Sequence, residues 1–125
     1  MRIVLEDIPP SPEVLEAFLE GMTALNTAII RAEELPSVYE VARYRREPRG
    51  REDWRHAGII ERSGYGDCED LAAYRAAELR VFDGEAARVK VVRTGKKTLH
   101  AVVERADGSI EDVARALGMG GRKHA

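Results

Sequence analysis

The sequence predicts an α+β fold in which helices come first and a small antiparallel sheet comes last. Residues 12–34 carry apolar side chains at helical spacing, and so do the residues that follow Asp67. After the Asp83-Gly84 pair, short β-branched stretches alternate with turn residues, which is typical of β-hairpins. We expect the 125 residues to form a single domain, because this length suffices for a core without disulfides or a structural metal.

The N-terminal part of the chain predicts one long helix after a weaker element. Residues 1–8 could form a short edge strand, which a group of prolines ends. Ser11 is a candidate N-cap, and Pro12 suits the first helical position. The helix is therefore predicted over 12–34, with a weak point at Gly21.

The middle of the chain predicts two short helices joined by a loop. Ser37 opens the first of them, over residues 37–46. The arginine-rich segment 45–52 is interpreted as an exposed loop, although it could also form a basic patch for an acidic substrate group. A turn of helix is predicted around Trp54, within 53–63.

A glycine-marked loop at residues 63–66 leads into the second long helix. Asp67 is a candidate N-cap, and Asp70, three positions later, suits the acidic partner of a capping box. Asp83-Gly84 ends this helix. Three strands are predicted beyond it, with turns between them and a partial helical turn after them; the strands cover 86–92, 99–104 and 109–113, the turns 94–97 and 106–108, and the final segment 114–125.

The composition excludes several classes of protein. Apolar residues make up 44% and charged residues 34% of the chain, which argues against disorder. Lysine and arginine number 20, and aspartate and glutamate number 22, so the net charge is −2. This balance predicts no binding to nucleic acid or to an anionic membrane. The sequence has no signal-like or membrane-spanning apolar run, so we expect a cytoplasmic protein.

Cys68 is the one cysteine of the chain, so it can form neither an internal disulfide nor a zinc-type cysteine pair. It directly follows the predicted N-cap, where backbone N–H groups and the helix dipole stabilise a thiolate and the oxyanion formed when it attacks a carbonyl. However, Asp67, Glu69 and Asp70 surround the sulfur and disfavour its negative charge. A nucleophilic Cys68 therefore requires a histidine beside it, whereas an inert buried thiol does not.

The sequence offers three histidines for that role. His100 begins the predicted strand 99–104, and a histidine at a strand end can reach the first residue of a helix packed on the sheet. His56 lies in a polar segment and ranks second. His124 is the penultimate residue and ranks last.

Hairpin geometry predicts an orienting acceptor for His100. Across the turn at 106–108, paired residue numbers sum to about 213–215, so the partner of His100 lies near residues 112–115. Asp112 is the acidic residue there. Cys68, His100 and Asp112 can thus meet as a catalytic triad. A zinc site from the same residues is the weaker alternative, because they lack the short ligand spacing of structural sites.

These residues lie in a pattern that resembles the transglutaminase-like cysteine proteins. The matching stretches are GYGDCEDLAAYRAAELR, HAVV and DGSIEDVARALGM, which contain Cys68, His100-Ala101 and Asp112. The resemblance is nearest to small phage and prophage members and covers residues 64–119, with a weaker match at LPSVYEVARYRRE and the following tryptophan region.

The resemblance implies a papain-like core, in which a catalytic helix packs on a small antiparallel sheet, with residues 1–35 as an N-terminal helical extension. It also implies acyl transfer through a thioester on the cysteine, with the histidine as general base and then acid and the aspartate orienting it. In relatives an upstream aromatic or amide side chain completes the oxyanion hole, and by position Trp54 is the first candidate for this role and Tyr65 the second. Asp70 is expected to be a helix cap or a supporting acceptor. No metal, cofactor or calcium dependence is implied.

Three functions fit these observations. We favour hydrolysis of a peptide, isopeptide or amide bond over glutamine–lysine amide transfer, because transfer needs a water-shielded acceptor tunnel and a short chain has little material for its walls. The third function is that of a non-enzymatic phage structural or assembly protein, which would be associated with the virion. The expected partner is a peptide or protein substrate, and a homo-oligomer through the N-terminal helix is left open.

Overall fold

The structure, a computed structural model, describes residues 2–4, 11–46, 53–96 and 98–120. Within these ranges the fold is α+β, as the sequence predicts. In chain order the elements are β1 (Arg2–Val4), α1 (Pro12–Glu33), α2 (Val38–Val41), β2 (Arg43–Tyr44), β3 (Asp53–Arg55), α3 (Ala57–Ser63), β4 (Tyr65–Gly66), α4 (Cys68–Asp83), β5 (Arg88–Arg93), β6 (Leu99–Glu104), β7 (Ile110–Glu111) and α5 (Val113–Ala116).

The long helix α1 confirms the prediction for residues 12–34 almost to the residue. The Ser11 hydroxyl accepts the backbone N–H of Val14 at 3.3 Å and so caps the helix. The helix continues through Gly21 and ends at Glu34, which adopts the left-handed conformation with φ of 53°. One face of α1 is buried against the rest of the protein, through Leu15, Leu19, Met22 and Ile30.

The second long helix, α4, lies at the centre of the core. It begins at Cys68 and ends before Gly84, whose φ of 63° suits a helix C-cap. Most of its side chains from Leu71 to Leu79 are buried. α4 packs against α1 and also against the strands β5 and β6. The helix that carries the cysteine is thus held by both the other long helix and the sheet.

The strands after α4 form a three-stranded antiparallel sheet in the order β5-β6-β7. Val103 of β6 pairs with Val89 on one side and with Glu111 on the other, which agrees with the register predicted from the hairpin. The predicted third strand is too long, because β7 contains only two residues. The chain leaves the sheet at Asp112, which becomes the N-cap of α5.

The middle of the chain departs most from the prediction. The predicted helix 37–46 is limited to α2, because Ala42 is extended and β2 pairs in parallel with β4. The glycine-marked loop at 63–66 contains β4. The predicted turn of helix around Trp54 is wrong, since β3 pairs there with β1 and the helix starts only after His56.

Several predictions lie wholly or partly outside the described residues. They concern most of the strand at 1–8, most of the arginine-rich loop, Lys97 of the second turn and the terminal segment with His124. Within the ranges that the structure covers, no helix combines the length and the apolarity needed to cross a bilayer.

Candidate functional site

The site is built around the first turn of α4, where Cys68 is the first helical residue. The chain enters this turn through Gly66, which lies close to the helix. A Cβ placed on Gly66 would lie 3.0 Å from the Cβ of Asp70 and 3.4 Å from a methyl carbon of Leu71. Glycine is therefore suited to this position because the entering backbone passes so close to the helix.

The predicted capping box is formed. The Asp67 carboxylate accepts the backbone N–H of Asp70 at 3.1 Å, and the Asp70 carboxylate accepts the backbone N–H of Asp67 at 3.2 Å. A helix start has four N–H groups without intrahelical acceptors, and the box uses two of them. The N–H groups of Cys68 and Glu69 lie between the two that are used, at the turn where the sulfur is attached.

Asp70 also connects this turn to β3. Its second oxygen, Oδ1, accepts the backbone N–H of Arg55 at 3.0 Å, and the residue is buried. Burial, followed by the charge of Asp67, raises the pKa of the Asp70 carboxyl well above its usual value. Both of its oxygens are engaged by backbone, so Asp70 serves the structure of the helix start, as the sequence analysis expected.

His100 and Asp112 are paired as the hairpin geometry predicts. The distance from His100 Nε2 to Asp112 Oδ2 is 2.9 Å. The other oxygen of Asp112, Oδ1, accepts the backbone N–H of Arg115 at 3.1 Å and caps α5. Because an ionised carboxylate only accepts hydrogen bonds, the proton between the two residues belongs to Nε2. The lone pair of a neutral His100 ring is then on Nδ1.

Nδ1 of His100 is buried and has no hydrogen-bond partner among the described residues. A buried ring nitrogen without a partner is uncommon, because burying an unsatisfied polar group costs about 1–3 kcal/mol. Asp112 thus orients the ring through Nε2, and the basic nitrogen Nδ1 can accept a proton.

The sulfur of Cys68 lies next to the strand that carries His100. The backbone of Ala101, the residue after His100, lies close enough to the thiol to lower its pKa. However, the sulfur and the His100 ring are not hydrogen-bonded in the structure. The thiol instead lies 3.6 Å from Oε1 of Glu69.

The surroundings of the sulfur favour the neutral thiol. Cys68 is 9% exposed. Burial, followed by the negative charges of Glu69 and Asp67, raises the pKa of the thiol above its usual range, and the backbone of Ala101 opposes this. The carboxylates of Glu69 and Asp67 therefore have the effect expected from the sequence.

The two aromatic candidates for the oxyanion hole are engaged elsewhere. Trp54 is buried, and its ring packs against Phe18 of α1 with centroids 4.9 Å apart. Its indole N–H has no partner among the described residues. Two guanidinium groups lie over the ring of Tyr65, that of Arg45 at 4.5 Å and that of Arg55 at 4.3 Å from its centroid.

The structure brings other residues to the site that the sequence analysis did not single out. Tyr44 in β2 lies near Cys68: burial, followed by the charge of the thiolate form of Cys68, raises the pKa of its phenol. Arg75 and Glu111, discussed below, connect α4 to the strand that precedes Asp112. No sequence signal reveals these contacts, because they depend on pairing between distant segments.

His56, the second-ranked histidine, has a structural role. Its Nδ1 accepts the backbone N–H of Gly58 at 3.1 Å and caps α3. Among the residues that the structure describes, no group of three or more His, Cys, Asp or Glu side chains could hold a metal ion.

Comparison with known proteins gives no relative. No protein-family model matches the chain, and no match was found among the curated proteins or the solved structures.

Proposed function

We propose that this protein is a cysteine-dependent acyl-transfer enzyme with a papain-like core, in which Cys68, His100 and Asp112 act as a triad on a peptide, isopeptide or amide bond. One observation carries this proposal. His100 is oriented by Asp112 through Nε2, its buried Nδ1 has no partner among the described residues, and the backbone of the neighbouring Ala101 lies close enough to the Cys68 thiol to lower its pKa.

The resting state has a neutral thiol beside Glu69, so His100 acts as a general base during attack. For this step the thiol has to leave Glu69 and come within hydrogen-bond distance of Nδ1. Nδ1 takes the thiol proton as the sulfur attacks the carbonyl carbon. The imidazolium, stabilised by Asp112, then gives the proton to the leaving amine, and a thioester on Cys68 remains.

The oxyanion of the tetrahedral intermediate needs hydrogen-bond donors at the start of α4. The backbone N–H group of Cys68 suits this role, because it lies at the first helical position, where an N–H group has no acceptor in a preceding turn. The indole N–H of Trp54, which has no partner among the described residues, is a further candidate donor.

Hydrolysis is proposed over amide transfer as the second half of the reaction. In hydrolysis, water deprotonated by His100 attacks the thioester, which releases the acid and restores the thiol. Transfer of the acyl group to a lysine amine would use the same triad. It would also require an acceptor channel that keeps water out, for which a short chain has little material.

A different observation favours a non-enzymatic role, such as that of a structural or assembly protein. The thiol of Cys68 is buried, and burial and the adjacent carboxylates raise its pKa. These are the properties of an inert structural cysteine. The experiment below therefore asks whether His100 controls the reactivity of the sulfur.

The experiment measures acylation of Cys68 by p-nitrophenyl acetate, followed by intact mass and nitrophenol release. Because the chain has one cysteine, Cys68→Ala gives the background rate. We expect His100→Asn to lower the acylation rate at pH 7 by at least about 100-fold, since general-base assistance contributes that much. His56→Asn is the matched control, because asparagine also serves as an N-cap and preserves α3.

The outcomes are distinct. A rate that depends on His100 and not on His56 supports the triad. A Cys68 that reacts no faster than the background, or equally well without His100, leaves the non-enzymatic role. Adding a primary amine to the acylated protein then separates the two enzymatic activities, since amide product would support transfer and free acetate would support hydrolysis.

A further inference from the structure

We propose that Glu111 is a positioning residue, which holds Asp112 against His100 by tying the end of β7 to the helix that carries Cys68. This inference rests on the proposed function, because it assigns how the triad is aligned. Its evidence is a set of hydrogen bonds outside the triad itself.

The segment that carries Asp112 needs such support. β7 contains two residues, and it pairs with β6 only through Val103–Glu111 and Glu104–Ile110. Asp112 lies just beyond the last paired residue. Val113 and Ala114, just after Asp112, are buried and hold its C-terminal side. On its other side a strand as short as β7 would fray easily without side-chain anchors.

Glu111 receives donors from three separate elements. Its Oε2 accepts Nε of Arg75 in α4 at 2.9 Å and also the hydroxyl of Tyr39 in α2. Its Oε1 accepts Nη1 of Arg105, in the turn between β6 and β7, at 3.1 Å. Both oxygens of the carboxylate are therefore fixed, and the backbone of Glu111 is held with them.

The donors are themselves held in place. Nη1 of Arg75 also binds Glu78, a buried carboxylate that accepts the backbone N–H of Val38 at 2.8 Å. Arg105 binds both oxygens of Glu85, at 2.6 and 2.8 Å. Glu111 thus joins a network that connects α2, α4 and the hairpin.

The geometric consequence concerns α4. This helix carries Cys68 at its first residue and Arg75 two turns later. Through Arg75 and Glu111 it fixes the residue that precedes Asp112. One rigid helix therefore sets the position of the nucleophile and of the residue that orients its base, which is the purpose of supporting contacts around a reactive site.

The test uses two variants that change the charge of the network in opposite directions. Glu111→Gln removes a negative charge from the network, and Arg105→Gln removes a positive one. If the network acts by positioning, both variants should loosen Asp112. If Glu111 acts on the site only through its charge, the two should have opposite effects.

The first readout is the Nε2 proton of His100, observed by NMR in protein labelled with ¹⁵N-histidine. Asp112→Asn serves as the reference for a weakened pair. We expect both variants to speed exchange of this proton with water by about tenfold, the effect of losing roughly one hydrogen bond. The second readout is the acylation rate of Cys68, which we expect to fall by about tenfold in both variants.

Glu20→Gln is the matched control. This substitution breaks the bidentate ion pair between Glu20 on α1 and Arg80 on α4, whose two N–O distances are 2.8 and 3.0 Å. It therefore removes a comparable contact of α4 without touching β7. The Nε2 exchange and the acylation rate of this variant should equal those of the wild type.

Unchanged exchange in both variants, or opposite changes, would overturn the positioning role. The NMR readout needs no activity. If wild-type Cys68 fails to be acylated, the proposed function fails, whereas the exchange data still decide whether Glu111 positions Asp112.

Discussion

Asp112 uses its two carboxylate oxygens for two different purposes. Oδ2 pairs with Nε2 of His100 at 2.9 Å, and Oδ1 accepts the backbone N–H of Arg115 at 3.1 Å. The cap of α5 and the orientation of the candidate base therefore depend on one side chain. A suitable pair of substitutions can separate these functions.

We expect Asp112→Asn to preserve stability and impair acylation, and Asp112→Ala to impair both. Asparagine caps a helix about as well as aspartate, whereas alanine costs about 1 kcal/mol. Asparagine has no charge to stabilise the imidazolium of His100. Urea denaturation and the acylation rate measure the two effects. Equal stability of the two variants would show that the Oδ1 cap contributes little.

Glu69→Gln should make Cys68 more reactive towards iodoacetamide. After burial, the charge of Glu69 is the largest cause of the raised pKa of the Cys68 thiol. Its removal lowers that pKa, so the thiolate fraction at pH 8 rises and alkylation becomes roughly three to ten times faster. Glu61→Gln, on α3, is the control. An unchanged or slower rate in Glu69→Gln would contradict this and would mean that burial, rather than Glu69, keeps the thiol protonated.

The free energy of unfolding should decrease as the pH falls below about 6.5, because of the titration of His56. Burial, with a contribution from the positive charge of Arg62, lowers the pKa of His56 in the folded state. The unfolded chain therefore binds a proton that the folded chain resists, and stability is lost as the pH falls through the unfolded pKa. Protonation of Nδ1 would also break the bond from Gly58.

His56→Asn provides the comparison for this titration, since it retains a capping oxygen and does not ionise near neutral pH. Urea denaturation of both proteins at pH 7.5 and pH 5.5 gives the difference of interest. The wild type should lose more stability between these pH values than the variant. An equal loss would assign the acid sensitivity to the carboxylates that both proteins share.

Asn26→Ala should destabilise the protein, because the Asn26 side chain joins α1 to the start of α3. The Asn26 side chain is fully buried, and its Oδ1 accepts the backbone N–H of Ala57 at 2.8 Å. The substitution leaves that N–H buried and unpaired, which costs about 1–3 kcal/mol. Thr27→Ala, at the next position on the partly exposed side of α1, should cost less than about 1 kcal/mol. Chemical denaturation of both variants measures the contrast.

Much of the site could be predicted because its geometry is local. The N-cap, capping box and helix start at Asp67, Cys68 and Asp70 follow from residues within four positions of one another. The pairing of His100 with Asp112 follows from one short hairpin, whose register is fixed by its turn.

The middle of the chain could not be predicted in the same way. Whether residues around Tyr44 and Trp54 form helix or strand depends on which distant segment they meet, and each of these strands contains only two or three residues. Such short segments carry too little periodicity to decide the matter.

The sequence by itself determined the α+β class, the two long helices, the register of the β6–β7 hairpin and the residue that pairs with His100. Only the tertiary structure decided the environment of the sulfur and the contacts that hold Glu111. The effect of the Ala101 backbone on the Cys68 thiol and the anchoring of Glu111 by Arg75 both join residues more than 30 positions apart. Local patterns fix helices and turns through contacts of a few residues, whereas burial and charge at a reactive atom are set by whichever distant elements pack against it.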